Sequence, residues 1–396
     1  MPKNESKLRL VIVCPACGGN GSVASVALTQ ARLVRSDFAV RIISDSFDST
    51  IQLPPDIVPL RIEPPAFRQL RRFAHVPREV AFAIWAKRAL WRENIRSPID
   101  FVLFHGHVPA AIAAETLAQA SIPSGLVTHG DIADRPKGTY DARLTKLYTW
   151  ATPRAYRKMS LIAALSPHMT EVAMRNGCDQ AKIKLLPNGI SPMDIGLNGD
   201  FVPAPSSCGR MIPRLLFVGR LSVEKGVDVL VHAHRILADQ GTPFHLKLVG
   251  DGPLEAELRD LVRRIGSQDM VEFSGRVPRA ALGEVYRSSH IVCVPSRSDT
   301  LPTVVLEAMA AGRPVVGSAV GGIPFMIESG KTGLVVPPDN PSALAEALRQ
   351  FVDNPELVAT MGRAGLERCA TRFTWEACAA EFGAAIKETI ATRRSP

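Results

Sequence analysis

Two carboxylates near the predicted start of a helix point most directly to chemistry in this chain of 396 residues. Asp299 and Glu307 lie within residues 296–312, whose sequence is Ser-Arg-Ser-Asp-Thr-Leu-Pro-Thr-Val-Val-Leu-Glu-Ala-Met-Ala-Ala-Gly. The apolar run before it, residues 291–294, predicts a buried parallel strand. Pro302 is tolerated in a first helical turn, because the N–H it lacks has no helical partner there. The stretch therefore predicts a strand, a loop and a helix.

The chemistry of this arrangement follows from the helix start. Its free N–H groups and the positive end of its dipole can hold a diphosphate. Carboxylates cannot bind that anion, so Asp299 and Glu307 need other partners, and a carboxylate can accept two hydrogen bonds from a vicinal diol. The predicted ligand carries a diphosphate between two diol-bearing rings, as a nucleotide sugar does. Taken singly, the two residues would be an ordinary N-cap and a solvated helical glutamate.

The complete string resembles the signature of glycosyltransferase family 4, the retaining GT-B enzymes. It has an acid, seven intervening residues and a glutamate, followed by Ala-Met-Ala-x-Gly-x-Pro-Val-Val. The resemblance implies that Asp299 contacts the transferred sugar and Glu307 the ribose. It also implies that Leu301, Pro302 and Thr303 help to bind the donor. Asp299 stands where the family usually has glutamate, and its reach is shorter by one methylene, about 1.5 Å.

A second string, Gly-Arg-Leu-x-x-Glu-Lys-Gly at residues 219–226, contains two cations on a predicted strand-to-helix turn. Arg220 and Lys225 can face one cleft and supply the fixed positive charge that a departing nucleoside diphosphate needs. Surface salt bridges are the alternative from spacing alone. The family string is reproduced in full, and the resemblance therefore implies a catalytic role for both cations.

The chain contains no Asp-x-Asp sequence, the acid pair with which the GT-A class of glycosyltransferases holds its metal. We therefore expect no metal and no cofactor, with the nucleotide sugar as co-substrate. The resemblance further implies that Gly275, Arg276 and Val277 seat the nucleobase, mostly through their backbone.

The first half of the chain carries weaker signals. Gly18 and Gly19 follow an apolar strand, residues 8–13, and a glycine-rich turn alone indicates no more than tight packing. The resemblance implies that this pair lies near the donor phosphates and the acceptor. It also implies that His129, at the end of a later predicted strand, is catalytic beside the reacting sugar, and that Asp131 contacts the acceptor.

Other reactive side chains are interpreted as structural. A single histidine is more often a satisfied core or loop residue than a catalytic one, which is our interpretation of His105 and His107. Seven cysteines, an odd number, argue against a disulfide framework. Cys14 and Cys17 are spaced as half a zinc site, but no second ligand pair has the required spacing.

The order of strands and helices predicts an α/β protein of two domains, since the length exceeds that of one ordinary core. The resemblance implies the GT-B fold, two Rossmann-like domains whose parallel sheets face a central cleft. We expect an acceptor-binding domain at residues 1–190, a proline-rich linker at 191–213 and a donor-binding domain at 214–374. A helix within residues 375–396 is expected to cross back to the first domain.

The net charge of +9 favours anionic partners. We expect no nucleic acid, because the charge is not concentrated in a recognisable reading module. Residues 61–96 hold nine basic and three acidic residues, a net charge of +6, with aromatic residues interleaved. Two interpretations remain open: a helix on an anionic membrane surface, or a domain helix with a solvated basic face.

We expect a cytoplasmic protein, on the inner face of the cell membrane if the first interpretation holds. The apolar run at residues 10–13 is too short for a signal peptide, and no segment approaches the roughly 20 apolar residues of a membrane span.

These expectations converge on a retaining, metal-independent glycosyltransferase. It would move a hexose from a nucleotide diphosphate sugar to a glycan or lipid-linked acceptor, in bacterial surface polysaccharide or glycolipid synthesis. Retention is implied by the family resemblance and not by spacing. No carboxylate is placed convincingly as a nucleophile in the manner of retaining glycosidases. Two alternatives stay open: a nucleotide-sugar 2-epimerase on the same architecture, and a non-catalytic scaffold that binds nucleotide sugars.

Overall fold

Both halves of the chain fold into a parallel sheet flanked by helices, as a computed structural model shows. The structure describes residues 7–15, 17, 22–47, 53–62, 75–130, 142–197 and 213–394. The chain divides into two units, one formed by Met1–Asn188 with Trp375–Pro396 and the other by Gly189–Thr374. The predicted α/β architecture of two Rossmann-like domains is confirmed.

The first unit contains a seven-stranded sheet within the described residues, in the order β3-β2-β1-β4-β5-β6-β7. All of its pairings are parallel, and its central strand, residues 101–104, is a continuous buried apolar run, as expected where helices cover both faces. Its strands are β1 (Leu8–Val13), β2 (Phe38–Ser44), β3 (Val58–Arg61), β4 (Phe101–Phe104), β5 (Ser124–Thr128), β6 (Leu161–Ala164) and β7 (Ile183–Leu185).

The helices of the first unit follow the strands in alternation. They are α1 (Ser22–Val34), α2 (His75–Arg96), α3 (His107–Gln119), α4 (Ala142–Lys158) and α5 (Pro167–Arg175).

The second unit repeats the pattern with a six-stranded parallel sheet, ordered β10-β9-β8-β11-β12-β13 in its described part. The strands are β8 (Arg214–Val218), β9 (His245–Val249), β10 (Val271–Gly275), β11 (Ile291–Val294), β12 (Val315–Ser318) and β13 (Gly333–Val336). The helices are α6 (Val227–Asp239), α7 (Glu255–Arg264), α8 (Leu282–Arg287), α9 (Thr303–Ala310), α10 (Ile323–Met326), α11 (Pro341–Asp353) and α12 (Glu356–Arg372).

The last helix, α13 (Trp375–Arg394), belongs to the first unit although it follows the second in sequence. Lys387 donates from Nζ to Asp37 Oδ2 at 2.7 Å, next to the start of β2. Lys184, on β7, bonds Glu388 at 3.2 Å, and Ile386 is fully buried. The expected return of the C-terminal helix to the first domain is confirmed.

Both sheets have a point at which the strand order reverses. In the first unit this point lies between β1 and β4, and in the second between β8 and β11. Connections leave such a pair of strands in opposite directions, which opens a crevice beyond their carboxyl ends where open α/β sheets bind ligands. The topology therefore predicts which loops of each unit carry the chemistry.

Part of the segment expected to be a linker is instead a packed element of the second unit. Pro192–Ile195 form a 3-10 turn, in which Ile195 is fully buried. The next residue, Gly196, has a φ of +76°, and a Cβ there would overlap the carbonyl oxygen of Ala280. Proline and glycine content indicated a linker, but here these residue types build a tight turn against neighbouring backbone. Residues 198–212 lie outside the described part of the chain.

No described helix combines the length and the apolar composition that a membrane span requires.

Candidate functional site

The best-defined cluster lies at the crevice of the second unit, where the loops after β8 and β11 meet. Lys225 ends the 3-10 turn Val223–Lys225 that follows β8, and Asp299 lies in the loop that follows β11. Lys225 Nζ is 2.5 Å from Asp299 Oδ2, and the side chains are 28% and 13% exposed. Ser296 donates from Oγ to the same carboxylate oxygen at 3.3 Å. Because both contacts use Oδ2, Oδ1 is the oxygen through which Asp299 can accept a ligand hydroxyl.

Close backbone approaches fix this pair. Gly226 has a φ of +61°, and a Cβ there would overlap the carbonyl oxygen of Pro295, which follows β11. Gly321 has a φ of +53° and lies as closely against the carbonyl oxygen of Asp299. Only glycine adopts this left-handed conformation without strain and has no Cβ to collide with the neighbouring carbonyl oxygen. The glycine that ends the Gly-Arg-Leu-x-x-Glu-Lys-Gly string thus determines the distance between the two loops.

A neighbouring arginine ties the same loops together. The backbone N–H of Arg297 donates to Glu224 O at 2.8 Å, and its guanidinium binds Asp228 in bidentate geometry at 2.8 and 2.6 Å. It also donates to Val223 O at 2.9 Å and bonds Asp339 at 2.5 Å. The hydrogen bond and charge of Asp228 raise the pKa of Arg297, so its guanidinium stays cationic while it joins the two loops. The sequence analysis missed this residue, because its main partner lies 69 positions away.

The helix start beside the pair has the form expected of an anion site. Pro302 is the N-cap of α9 and offers no side-chain hydrogen bond to the first turn, which begins at Thr303. Leu301, just before it, is buried. The first amides of α9 therefore point outward without a side-chain cap and can donate to an anion.

Glu307, inside α9, is buried and held by two partners. Tyr286, on α8, donates its hydroxyl to Oε2 at 2.8 Å, and Arg279 forms an ion pair with Oε1 at 3.0 Å. Burial and the carboxylate raise the pKa of Tyr286 well above its usual value, so the phenol remains a donor. Tyr286 is fully buried, whereas the Arg279 side chain is about half exposed. Of the two partners, Arg279 is the one that reaches the surface, so a ligand hydroxyl would have to approach the buried Glu307 from that side. The sequence indicated neither partner.

The remaining donor-binding candidates of this unit lie on loops at the same edge of the sheet. Arg220 follows β8, is exposed, and forms no salt bridge within the described ranges. Gly275 ends β10 with a φ of +65°, and Arg276 pairs with Asp251 at 3.2 Å. Val277 is half-buried. The structure brings Lys225 and Asp299 into direct contact but gives Arg220 no shared partner with them.

In the first unit, His129 lies directly after β5 and contacts a second histidine. Its Nε2 is 2.9 Å from Nδ1 of His105, and the rings stack with centroids 5.1 Å apart. Burial, together with the nearby His107, lowers the pKa of His129 to about 3. The ring is therefore neutral at physiological pH. Our interpretation of His105 as a lone core histidine overlooked this contact.

Three predicted site residues, Gly18, Gly19 and Asp131, lie outside the described residues. Among the residues that are described, no group of three or more His, Cys, Asp or Glu side chains is arranged to hold a metal ion.

Replacing Gly226 by alanine should separate the two loops of the second unit. The matched control is Gly241, which has a φ of +74° and open space on the side where a Cβ would project. Gly241→Ala should cost about 1 kcal/mol of unfolding free energy from backbone strain alone. Gly226→Ala should lose a further ~1–3 kcal/mol through overlap with Pro295. Urea unfolding measures both, and equal losses would show that the close approach does not constrain the loops.

Comparisons with known proteins identify the family to which this chain belongs. Residues 211–368 match the family model described as glycosyl transferases group 1, and residues 19–193 match glycosyltransferase family 4. The chain is 27% identical over 407 residues to D-inositol 3-phosphate glycosyltransferase of Kribbella flavida, covering 95% of this chain and 92% of that protein.

Solved structures show the same fold. Sucrose-phosphate synthase from Thermosynechococcus elongatus superposes with a TM-score of 0.79 at 21% identity, covering 98% of this chain and all of that one. Anabaena HepE in complex with UDP-glucose superposes with a TM-score of 0.70 at 18% identity, covering 97% of this chain and all of that one. The two family models together span both units, and the chain belongs to glycosyltransferase family 4 and is a GT-B glycosyltransferase.

Proposed function

We propose that this glycosyltransferase moves a hexose from a nucleotide diphosphate sugar to a glycan or lipid-linked acceptor, with retention and without a metal, in bacterial surface polysaccharide or glycolipid synthesis. The observation that carries the proposal is the pairing of Lys225 with Asp299 at the sheet crevice, beside a helix start without a side-chain cap. It joins a cation, a hydroxyl-binding acid and free amides, which are the groups that a sugar diphosphate requires.

Each part of the donor has a matching group in the second unit. The diphosphate binds the amides at the start of α9 and the ammonium of Lys225, with Arg220 in reach from its exposed position after β8. The ribose diol binds Glu307, and the base lies against Gly275, Arg276 and Val277. An ammonium has three donors, so Lys225 can bind phosphate without releasing Asp299.

The reaction follows from where charge develops. As the bond between the anomeric carbon and the leaving phosphate breaks, negative charge grows on the phosphate, and Lys225 with the helix amides stabilises it. The acceptor hydroxyl attacks the anomeric carbon from the side of the leaving group, and its proton passes to the departing phosphate. The new bond then has the configuration of the old one. His129 orients the sugar, and Asp299 accepts a sugar hydroxyl through Oδ1.

Replacing Lys225 by alanine tests the catalytic assignment. Removing one preorganised donor to the leaving group should lower kcat by about 100- to 1,000-fold. Lys247→Ala is the matched control, since Lys247 also forms an ion pair, at 2.9 Å with Glu272, but lies within β9. Sugar transfer is measured by release of nucleoside diphosphate, and folding by circular dichroism. If a folded Lys225→Ala protein turns over at the wild-type rate, the assignment is wrong.

A thermal-shift panel of UDP-, GDP- and ADP-sugars tests donor binding and the need for metal. One donor should raise the melting temperature clearly, equally with EDTA and with added Mg²⁺, because protein cations and helix amides supply the charge that a metal would. A shift that EDTA abolishes would contradict metal independence.

Incubation of the stabilising donor with protein alone separates the alternatives. Slow hydrolysis to sugar and nucleoside diphosphate supports a transferase, recovery of a 2-epimer identifies an epimerase, and an unchanged donor identifies a scaffold.

Association with an anionic membrane is part of the proposal, and a groove between α2 and α3 supports it. The groove has a volume of about 590 Å³ and is lined by Ile84, Lys87, Arg88, Trp91, Arg92 and Ile112, among others. Trp91 is 50% exposed, and Ile95, one helical turn farther along α2, is 70% exposed. Phe82 and Leu90 fill the opposite face of the helix. Exposed apolar side chains interleaved with cations match the charge and polarity of an anionic lipid surface.

Trp91→Ala should weaken binding to vesicles of phosphatidylglycerol and phosphatidylcholine several-fold. Met174→Ala is the control, since Met174 is an exposed apolar residue on α5. Co-sedimentation measures the bound fraction, and pure phosphatidylcholine vesicles should retain little protein. Equal binding by the two variants, or equal binding to neutral and anionic vesicles, would overturn the membrane assignment.

A further inference from the structure

We propose that His105 is a positioning residue for the transfer reaction: it holds the ring of His129 in one orientation and one tautomer. The inference rests on the proposed role of His129 beside the transferred sugar. Nothing in the family signature or in the spacing of the sequence indicated His105, and the contact between the two rings carries the proposal.

The scaffold places both rings at adjacent strand ends. His105 directly follows β4 and His129 directly follows β5, and these strands pair with Phe104 opposite Leu126. The backbone N–H of His105 donates to Val13 O at 2.9 Å, which anchors it to the end of β1 as well. His105 is 3% exposed, so its ring has little freedom to move away from its neighbour. The position of His105 is therefore set by the sheet.

The hydrogen bond selects the tautomers. His105 Nε2 is buried and has no partner among the described residues. In the opposite arrangement, His129 Nε2–H would donate to His105 Nδ1. The ring proton of His105 would then lie on its buried Nε2, as an N–H without an acceptor. Buried N–H groups without a partner are rare. An unpaired lone pair on His105 Nε2 costs less free energy than an unpaired N–H on the same atom. The favoured arrangement has His105 Nδ1–H donating to His129 Nε2.

This arrangement leaves His129 with its own proton on Nδ1. The pKa values of both rings are lowered, mainly by burial, so the pair is neutral. A neutral Nδ1–H is a directed hydrogen-bond donor of the kind that can orient a sugar hydroxyl. Without the donor on His105, this contact no longer selects one tautomer of His129.

Two substitutions of His105 test the idea. His105→Phe keeps the ring and removes the donor, so it should lower kcat by on the order of 10- to 100-fold with little change in the donor's KM. His105→Asn keeps an N–H at the position of Nδ1 and should restore most of kcat. His234→Phe is the control for loss of a buried histidine, since His234 bonds Phe244 O within the second unit. That variant should lose stability and keep kcat.

A direct readout does not depend on activity. The ¹⁵N chemical shifts of the imidazole nitrogens should identify His129 as the Nδ1–H tautomer in the unsubstituted protein, and as a mixture in His105→Phe. An Nε2–H tautomer of His129 in the wild type, or unchanged kcat in His105→Phe, would overturn the inference. If His129→Ala itself transfers sugar at the wild-type rate, the proposed role of His129 has failed instead.

Discussion

The ion pair between Lys225 and Asp299 depends on how closely two loops approach at the reversal point of a parallel sheet. The loops follow neighbouring strands, β8 and β11, and Gly226 allows one backbone to touch the other at Pro295. A cation and an acid 2.5 Å apart neutralise each other without ligand. Since the ammonium keeps further donors, the same pair can hold an anion on one side and a hydroxyl on the other.

The second acid is held by different means. Glu307 is almost fully buried, and a buried carboxylate is costly unless hydrogen bonds and charge compensate it. Tyr286 and Arg279 supply that compensation. Arg313, also buried, donates to the carbonyl oxygens of Tyr286 and Arg287 and thereby fastens α8 beside the end of α9. Burial lowers the pKa of the Arg313 guanidinium to about 10. Glu307 is thus held through both of its carboxylate oxygens, whereas Asp299 is held by Lys225 and Ser296 through Oδ2 alone.

The sequence predicted the local features well, because their determinants lie within a few residues. The strand, the loop and the helix around Asp299 could be predicted from an apolar run, a proline and a set of helix formers. The alternation of such units predicted both sheets, and the strand order then put Lys225 beside Asp299. What required a resemblance to a known family was the assignment of roles, since an acid or a lysine alone has an ordinary structural explanation.

The partners that hold the site could not be predicted, because they are distant in sequence. Arg297 meets Asp228 across 69 positions, Arg279 reaches Glu307 from another loop, and His105 meets His129 only because β4 and β5 are neighbours. The linker prediction had a different weakness. Proline and glycine mark turns as well as flexible segments, and burial of the 3-10 turn distinguishes the two only in three dimensions.

A crystal structure of the protein with the nucleoside diphosphate that stabilises it most would test the proposed role of Lys225 and Asp299 directly. We expect the diphosphate within hydrogen-bond distance of Lys225 Nζ and of the first amides of α9, with Asp299 still beside the lysine. A diphosphate bound elsewhere, such as at Arg214 on β8 and Lys247 on β9, with the ion pair untouched, would contradict this assignment.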